Sequence, residues 1–358
     1  MKQKINFKSA VVFLLFFICA CSKNEEKYNP PVPPAPEVHG QNPNGIYMSG
    51  VSFNANVGGT SYWKNGVQIK LSEIAKSAFS SSVYLENGDL YIGGAELYPG
   101  KDFTAVYWKN GEADYLTDGS NPAFVTDIVA DKGIAYVAGY ERIGNFNVAK
   151  YWKNGSERVL SNGTSDAYAN AIAVNGVNVY VAGTEVYPTG SVAKIWKDGY
   201  AIDLTSEGQN GVATGIFVNG KDVYASGWYE EGKVKIPFFW KNGQLLRLFS
   251  KAENAVTSKI FVSGNDVYVL GNETIYDPVT SHPVSTGVYW KNGNEILLTN
   301  DKEGSQANSL FVSGTDVYVV GFRGSFEKIK HGYWINGDFV PLYDSMNCTG
   351  LDDIFIVK

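Results

Sequence analysis

Residues 171–205 read AIAVNGVNVYVAGTEVYPTGSVAKIWKDGYAIDLT. Two short apolar runs flank Asn175-Gly176, and two more flank Asp198-Gly199. Asn-Gly and Asp-Gly supply the positive backbone angles that two-residue hairpin turns need. The stretch therefore reads as four strands, a to d, with tight a–b and c–d turns and longer b–c and d–a connections. The same grammar recurs in GIFVNGKDVYASG (215–227), KIFVSGNDVYVLG (259–271) and SLFVSGTDVYVVG (309–321).

Working outward, Trp-Lys-Asn-Gly or a close variant begins at Trp63, Trp108, Trp152, Trp196, Trp240, Trp290 and Trp334, at spacings of 45, 44, 44, 44, 50 and 44 residues. A period near 44 with strand-like content marks propeller blades. The series opens on a b-type strand at 45–50 with no a strand before it, and ends on an orphan a-type strand at 353–357. The expected fold is all-β: a seven-bladed β-propeller of four-stranded blades, closed one plus three, with the C-terminal strand innermost in the first blade. Closure removes the exposed edges of an open array. Short, Gly-bounded apolar runs exclude a helical repeat. The unit loosely resembles kelch and galactose-oxidase-type propellers in its strand-b signal ending in Gly and its later aromatic. The Gly pair usual in that family survives only at Gly93-Gly94, and the family's Trp stands further downstream. The resemblance implies the architecture and no activity.

The composition agrees: 39 Gly among 358 residues, 14% aromatic and only 18% charged suit short strands and tight turns. The net charge is −6, and residues 1–20 hold Lys2, Lys4 and Lys8 with no acid, so the remainder carries −6 − 3 = −9. Such a surface repels phosphate backbones, which excludes nucleic acid as an expected partner. Three His and three Cys leave little for a metal or nucleophile site, so no metal, cofactor or catalytic residue is assigned. His39, His282 and His331 lie in the linker or loops, and no Ser-His-Asp arrangement is legible.

Residues 1–21, MKQKINFKSAVVFLLFFICAC, pair a basic start with an apolar stretch too short to span a bilayer comfortably. Their end, Ile18-Cys19-Ala20-Cys21, resembles the lipobox of bacterial lipoproteins. That resemblance implies a signal peptide over 1–20, lipidation at Cys21 and anchoring to the bacterial outer membrane through the N-terminal lipid. Ser22-Lys23-Asn24-Glu25-Glu26 is similar to the export signal of surface-displayed lipoproteins, with Asn24 as a departure, so the exterior face is the expected location. The lipidated Cys, acidic cluster and Pro-rich spacer fill 21–43, with six Pro in 27–43, and the propeller fills 44–358. With Cys21 lipidated, Cys348 has no disulfide partner and reads as a packing residue.

Within the repeat, the seven Trp read as blade-to-blade packing, the motif Lys as a solvated hairpin residue, and Asp222, Asp266 and Asp316 as turn caps. Acids recur where strand b leaves the sheet: Glu96, Glu141, Glu185 and Glu273, with Glu230 displaced by one and Arg323 in the last blade. Lys150 and Lys194, nine residues after Glu141 and Glu185, suit cross-strand partners. Ser81, Thr126, Asn170, Thr214, Ser258, Asn308 and Asp352 precede the apolar centre of each a strand, either bonding backbone at the blade crossovers or ringing a polar channel mouth.

Function is sought where the copies differ. The b–c loops carry Tyr98, Phe103, Tyr140, Phe146, Tyr187, Trp228, Tyr229, Tyr276, Phe322 and Phe326. Trp228 is the one Trp outside the repeated motif, and Trp228, Tyr229, Tyr187 and Tyr276 form an expected aromatic patch. The reading is a membrane-anchored, surface-exposed binding or scaffold lipoprotein whose partner is a glycan, a peptide or an envelope protein. The alternative is an enzyme, a glycan lyase or hydrolase with a carboxylate site at the channel mouth.

Overall fold

A computed structural model of the chain describes residues 44–54, 57–72, 77–252, 254–276, 283–299, 304–324, 328–342 and 349–358, with backbone alone at 53, 54, 57, 276 and 349. Residues 1–43, with Cys21 and the spacer, lie outside the described residues, as do His282, Phe326 and Cys348. The described strands make seven four-stranded antiparallel sheets. Six blades take their strands in chain order, and the remaining one pairs Thr349–Val357 with Gly45–Asn54 as its inner two strands. The ring is a seven-bladed β-propeller closed one plus three.

The hairpin chemistry is visible in the backbone. Asn65, Asn110, Asn154, Asn242, Asn292 and Asn336 of the repeated motif, and Asp198 in its variant, all have φ between 47° and 53° and precede Gly. Each motif Trp is buried, and each joins a cluster with strands of the preceding blade: Trp152 packs with Tyr91 and Tyr107, Trp290 with Tyr224, and Trp63 with Tyr318. The motif Lys is part-exposed beside its hairpin turn, as expected, but it also makes a specific contact. Its ammonium lies over the strand-b Tyr of its own blade, at 5.2 Å for Lys109 over Tyr91 and 4.8 Å for Lys241 over Tyr224. The turn acids join this contact, Asp222 accepting from Asn242 at 2.8 Å and pairing with Lys241 at 3.2 Å. In the seventh blade Ile335 replaces the Lys, and Lys358 takes its place over Tyr318 at 5.7 Å and beside Asp316 at 2.7 Å.

Every inner strand carries a one-residue bulge. The residues skipped by the cross-strand register are Ser81, Thr126, Asn170, Thr214, Ser258, Asn308 and Asp352. These are the small polar residues singled out in the sequence. Four of them bond to the inner strand of the next blade: Thr126 to Ala169 O, Asn170 to Ala213 O, Asn308 to Leu351 O, and Thr214 to the Thr257 hydroxyl, at 2.7, 2.8, 2.7 and 2.7 Å. The bulge also explains the Gly that ends the strand-b signal. A Cβ at Gly139 or Gly183 would stand 2.1 or 2.0 Å from the carbonyl oxygen two residues before the bulged position.

Candidate functional site

The inner strands run from the end bearing the b–c and d–a loops to the end bearing the a–b turns. Side chains along them form three levels around the axis. At the loop end, Phe79, Phe124 and Tyr168 stand two residues before the bulge in blades 2, 3 and 4 (inner strands Ser77–Glu86, Ala123–Asp131 and Ala167–Asn175). With Phe103 and Tyr140 they make a continuous run of rings, Phe79–Phe103–Phe124–Tyr140–Tyr168, at centroid separations of 5.3, 5.1, 5.4 and 5.0 Å. Phe79, Phe103 and Phe124 are half-buried.

One residue past the bulge comes a polar girdle. Asp353, on the C-terminal strand, is its hub: it pairs with Lys259 at 2.5 Å, and accepts from the Ser309 hydroxyl, from Ser82 Oγ at 2.8 Å and from Val83 N at 3.0 Å. Asp127 accepts from Ile128 N at 3.0 Å and Ile172 N at 2.9 Å, and also lies 2.8 Å from Ser82 Oγ. A hydroxyl has one hydrogen, so Ser82 can bridge both acids only if one of them is protonated. Burial pushes the Asp127 pKa up, Lys259 opposes, and Asp353 adds to the rise. Burial works against the charge of Lys259, but Asp353 and Asp127 outweigh it and its pKa rises. The Lys259 side chain keeps 30% of its surface although it lies deep in the protein, because it faces the channel. At the bulge itself, burial raises Asp352 to about 7, against a Ser80 hydrogen bond at 2.7 Å.

Two residues further along, Tyr84, Phe217, Phe261, Phe311 and Phe355 form a belt completed by Val129 and Ala173. Girdle and belt together line an axial cavity of about 210 Å³.

The acids at the end of strand b do not converge on a common point. Glu96 is held by Tyr98 and Tyr115 hydroxyls at 2.5 and 2.9 Å. Lys150, 2% exposed, binds Glu141 at 2.5 Å and Glu157 at 2.7 Å, and Lys194 binds Glu185 at 3.4 Å and Asp203 at 2.6 Å. These are the cross-strand pairs that the nine-residue spacing predicts. In blade 5 the register puts Tyr229, not Glu230, at the acid position, with Phe238 in the lysine's place. In blade 6 Val288 takes the lysine's place, and Glu273 is pushed up to about 7, first by burial and then by Glu295. Among the described residues no group of three His, Cys, Asp or Glu could hold a metal.

The expected aromatic patch is not assembled. Strand b of blade 5 extends over Asp222–Glu231, so Trp228 and Tyr229 lie within it rather than beyond it. They are 9% and 8% exposed, Trp228 covered by the Lys235 ammonium at 4.5 Å and Tyr229 packed 6.1 Å from Phe238. Neighbouring strand residues face opposite ways, so the two cannot share one face. Tyr187 is half-buried, bonded to Glu185 at 2.8 Å with Lys194 5.4 Å over its ring. The Tyr276 side chain lies outside the described residues. Sequence reasoning missed Phe79, Phe124 and Tyr168, although an aromatic two positions before the small polar residue in three consecutive units is a legible signal.

No family model and no curated protein matches the chain. Among solved structures it is similar to the β-propeller domain of the Trilobed protease from Pyrococcus furiosus, at TM-score 0.52 and 10% identity over 80% of this chain and 87% of that one. That domain is described as having an open velcro topology, whereas the present ring is closed by its C-terminal strand. It also aligns with a puromycin-hydrolyzing peptidase of Mycobacterium tuberculosis (TM-score 0.49, 11% identity, 84% of this chain, 53% of that one) and with Trypanosoma rangeli sialidase (0.43, 8%, 83% and 57%). The chain spans little more than half the length of these two. At such identities the likeness shows the propeller fold alone.

Proposed function

We propose that the chain is a membrane-anchored, outward-facing binding or scaffold lipoprotein, held by lipid on Cys21 and presenting a ligand face at the loop-bearing end of the propeller. The observation that carries the binding role is the run Phe79–Phe103–Phe124–Tyr140–Tyr168, five rings in contact across blades 2 to 4 beside the channel mouth. Of these, Phe79, Phe103 and Phe124 are half-buried and backed by the buried Tyr140 and Tyr168, so they offer apolar area on a rigid frame at little entropic cost, which suits stacking on a sugar face or an aromatic or aliphatic peptide side chain. The acid-to-tyrosine and acid-to-lysine contacts nearby keep the b–c hairpins rigid. The anchoring rests on the lipobox-like ending at Cys21.

The alternative, a glycan lyase or hydrolase, requires a protonated acid and a carboxylate facing one cleft. Glu273 and Glu295 offer that chemistry, but Glu273 is 2% exposed and the Glu295 side chain 6%, so no substrate reaches them. That pair therefore supplies no active site, and binding is the reading favoured by the ring run. The test is a glycan and peptide array probed with the full chain and with Phe103→Ala/Phe124→Ala. The double variant should lose at least tenfold in affinity for any wild-type hit, about 1.4 kcal/mol. Unchanged binding would move the ligand face elsewhere. Cys21→Ala should abolish fatty-acid labelling and membrane fractionation, and persistence of both would remove the anchor.

A further inference from the structure

The end of the ring opposite the ligand face carries the a–b and c–d turns, and blade 4 departs from the repeat there. The second residue of its a–b turn is Val177, where blades 5, 6 and 7 have Lys221, Asn265 and Thr315. The residue that follows its c–d turn is Tyr200, where blades 2, 3, 5 and 6 have Glu112, Ser156, Gln244 and Asn294. Val177 is 90% exposed and Tyr200 81%, the two highest values of any large hydrophobic side chain among the described residues. The fold asks for neither, since polar residues serve in the other blades. Both turns are nonetheless fixed: Asp198 accepts from Val179 N at 2.8 Å, and Asn175 donates to Gly220 O in the next a–b turn at 2.5 Å.

The charge around this pair is also local to it. In blades 2, 5 and 6 the motif Lys meets an acid at the first residue of strand b, Asp89, Asp222 or Asp266. Blades 3 and 4 have Ile134 and Asn178 at that position, so Lys153 and Lys197 lie over Tyr136 and Tyr180 at 5.2 and 5.6 Å without a carboxylate. The two lysines are neighbours, because Tyr136, under Lys153, packs with Trp196 of blade 4. The turns of blades 3 to 5 (131–134, 153–156, 175–178, 197–200, 219–222 and 241–244) hold five Lys against three Asp, a net of +2. Those of blades 2, 6 and 7 (86–89, 109–112, 263–266, 291–294, 313–316 and 335–338) hold two Lys against six acids, a net of −4. The exposed Val and Tyr thus stand in the basic sector of this end.

The chain enters the ring at the same end. Gly45 pairs with Val357, the last residue of the inner strand that runs toward the a–b turns. Cys21 lies 23 residues before Asn44, a length that spans at most roughly 80 Å. A lipid on Cys21 therefore keeps the turn end near the membrane at high effective concentration, so a weak contact suffices there. Two apolar side chains fall far short of the roughly 800 Å² per partner of a stable protein interface. A Tyr beside an apolar residue and unpaired lysines is instead the chemistry of an anionic lipid surface, with the ring at headgroup level and the ammoniums on phosphate. We propose that the turn end of blades 3 to 5 docks on such a surface, Val177 and Tyr200 entering the headgroup layer and Lys153, Lys197 and Lys221 meeting lipid phosphates. This surface rests on the lipid anchor proposed above and adds an orientation to it, with the ring run Phe79 to Tyr168 facing away from the membrane.

The test uses the mature lipidated chain in vesicles of phosphatidylcholine and phosphatidylglycerol, with a spin label on Val177→Cys or, at the loop-bearing end, on the 74% exposed Phe249→Cys, each in a Cys348→Ser background. The label at 177 should be open to oxygen and shielded from a water-soluble nickel chelate, and the label at 249 open to the chelate. Lys153→Gln/Lys197→Gln should lower the ratio of docked to free chain about tenfold, 1.4 kcal/mol. Vesicles of phosphatidylcholine alone should weaken docking in the same direction. These positions are on the surface, where substitution leaves folding nearly unchanged, and melting temperatures of the labelled chains check this. A chain that does not float with the vesicles removes the anchor, and this surface with it. A chain that floats with position 177 as open to the chelate as position 249 leaves the anchor standing and overturns the surface. Equal docking on both lipids, or an unchanged ratio in the double variant, would overturn the part given to the lysines.

Discussion

Asp353 should be the most costly single polar residue of the ring to neutralise. Asp353→Asn keeps the shape but removes the charge opposite Lys259, 2.5 Å away, and turns an amide N–H₂ toward donors that had met an acceptor. Removing one member of a buried pair costs about 3–5 kcal/mol. The Lys259 side chain keeps 30% of its surface in the channel, so water recovers part of this. Against that, an N–H₂ in the place of Oδ2 takes the acceptor from Val83 N–H and from the Ser82 hydroxyl together, for ~1–3 kcal/mol. The net expectation is roughly 2–5 kcal/mol, or on the order of 4–10 °C in melting temperature for a domain of this size. The assay is thermal and urea unfolding of a double-mutant cycle with Lys259→Met. That single variant should cost less, because Asp353 retains Ser82, Ser309 and Val83 as donors. The double variant should cost clearly less than the sum, since the unpaired ammonium is gone. A melting temperature for Asp353→Asn within about 1 °C of wild type, or strictly additive costs, would refute the hub.

Other expectations concern protons and packing. Asp352 has a folded pKa near 7, above the unfolded value of about 3.9, so the native state holds the extra proton between these limits and stability falls as pH rises from about 4 to 7. Asp352→Asn should match wild type near pH 4 and exceed it at pH 8 by on the order of 1–3 kcal/mol, and an equal difference at both pH values would contradict the assignment. His331 has the opposite sign: burial lowers its pKa to about 4, so its contribution is lost as pH falls from about 6.5 to 4. His331→Leu should flatten that limb of the melting curve, and an unchanged limb would place the loss elsewhere. Trp152→Ala should cost about 3–5 kcal/mol, and Trp228→Ala a similar amount because it too is buried. A nearly neutral Trp228→Ala in denaturant unfolding would show that its ring contributes little packing.

The blades were legible in the chain because their signals repeat (a two-residue turn, a Gly ending strand b, a small polar residue two positions before an apolar centre), and the closure because the first blade lacks an inner strand and the last strand stands alone. That the small polar residues are bulges was not legible, since a bulge shows only in the cross-strand register. Non-repeated residues were read less well, and the reason is cross-strand. Both faces of a propeller sheet are buried against neighbouring blades, so a residue that departs from the repeat has first to satisfy its partner on the next strand. In blade 5 Tyr229 replaces the acid and Phe238 replaces the lysine, an ion pair exchanged for an apolar contact, and the two changes belong together. Read one strand at a time, Tyr229 resembles a free aromatic; read across the hairpin, it is core. Blade 6 changes only one member, Val288 for the lysine, and the uncompensated Glu273 is driven toward neutrality by burial and Glu295. Lys358 shows the same rule at longer range, filling the gap left by Ile335 some 23 positions earlier in the chain. The girdle was hidden for another reason. Asp127 and Lys259 each sit as a lone charge among the apolar residues of an inner strand, Asp353 stands beside Asp352, and these anomalies at one register become a network only once seven strands meet on an axis. A charge at the centre of an otherwise apolar repeat strand is therefore better evidence of an axial contact than any surface aromatic is of a ligand.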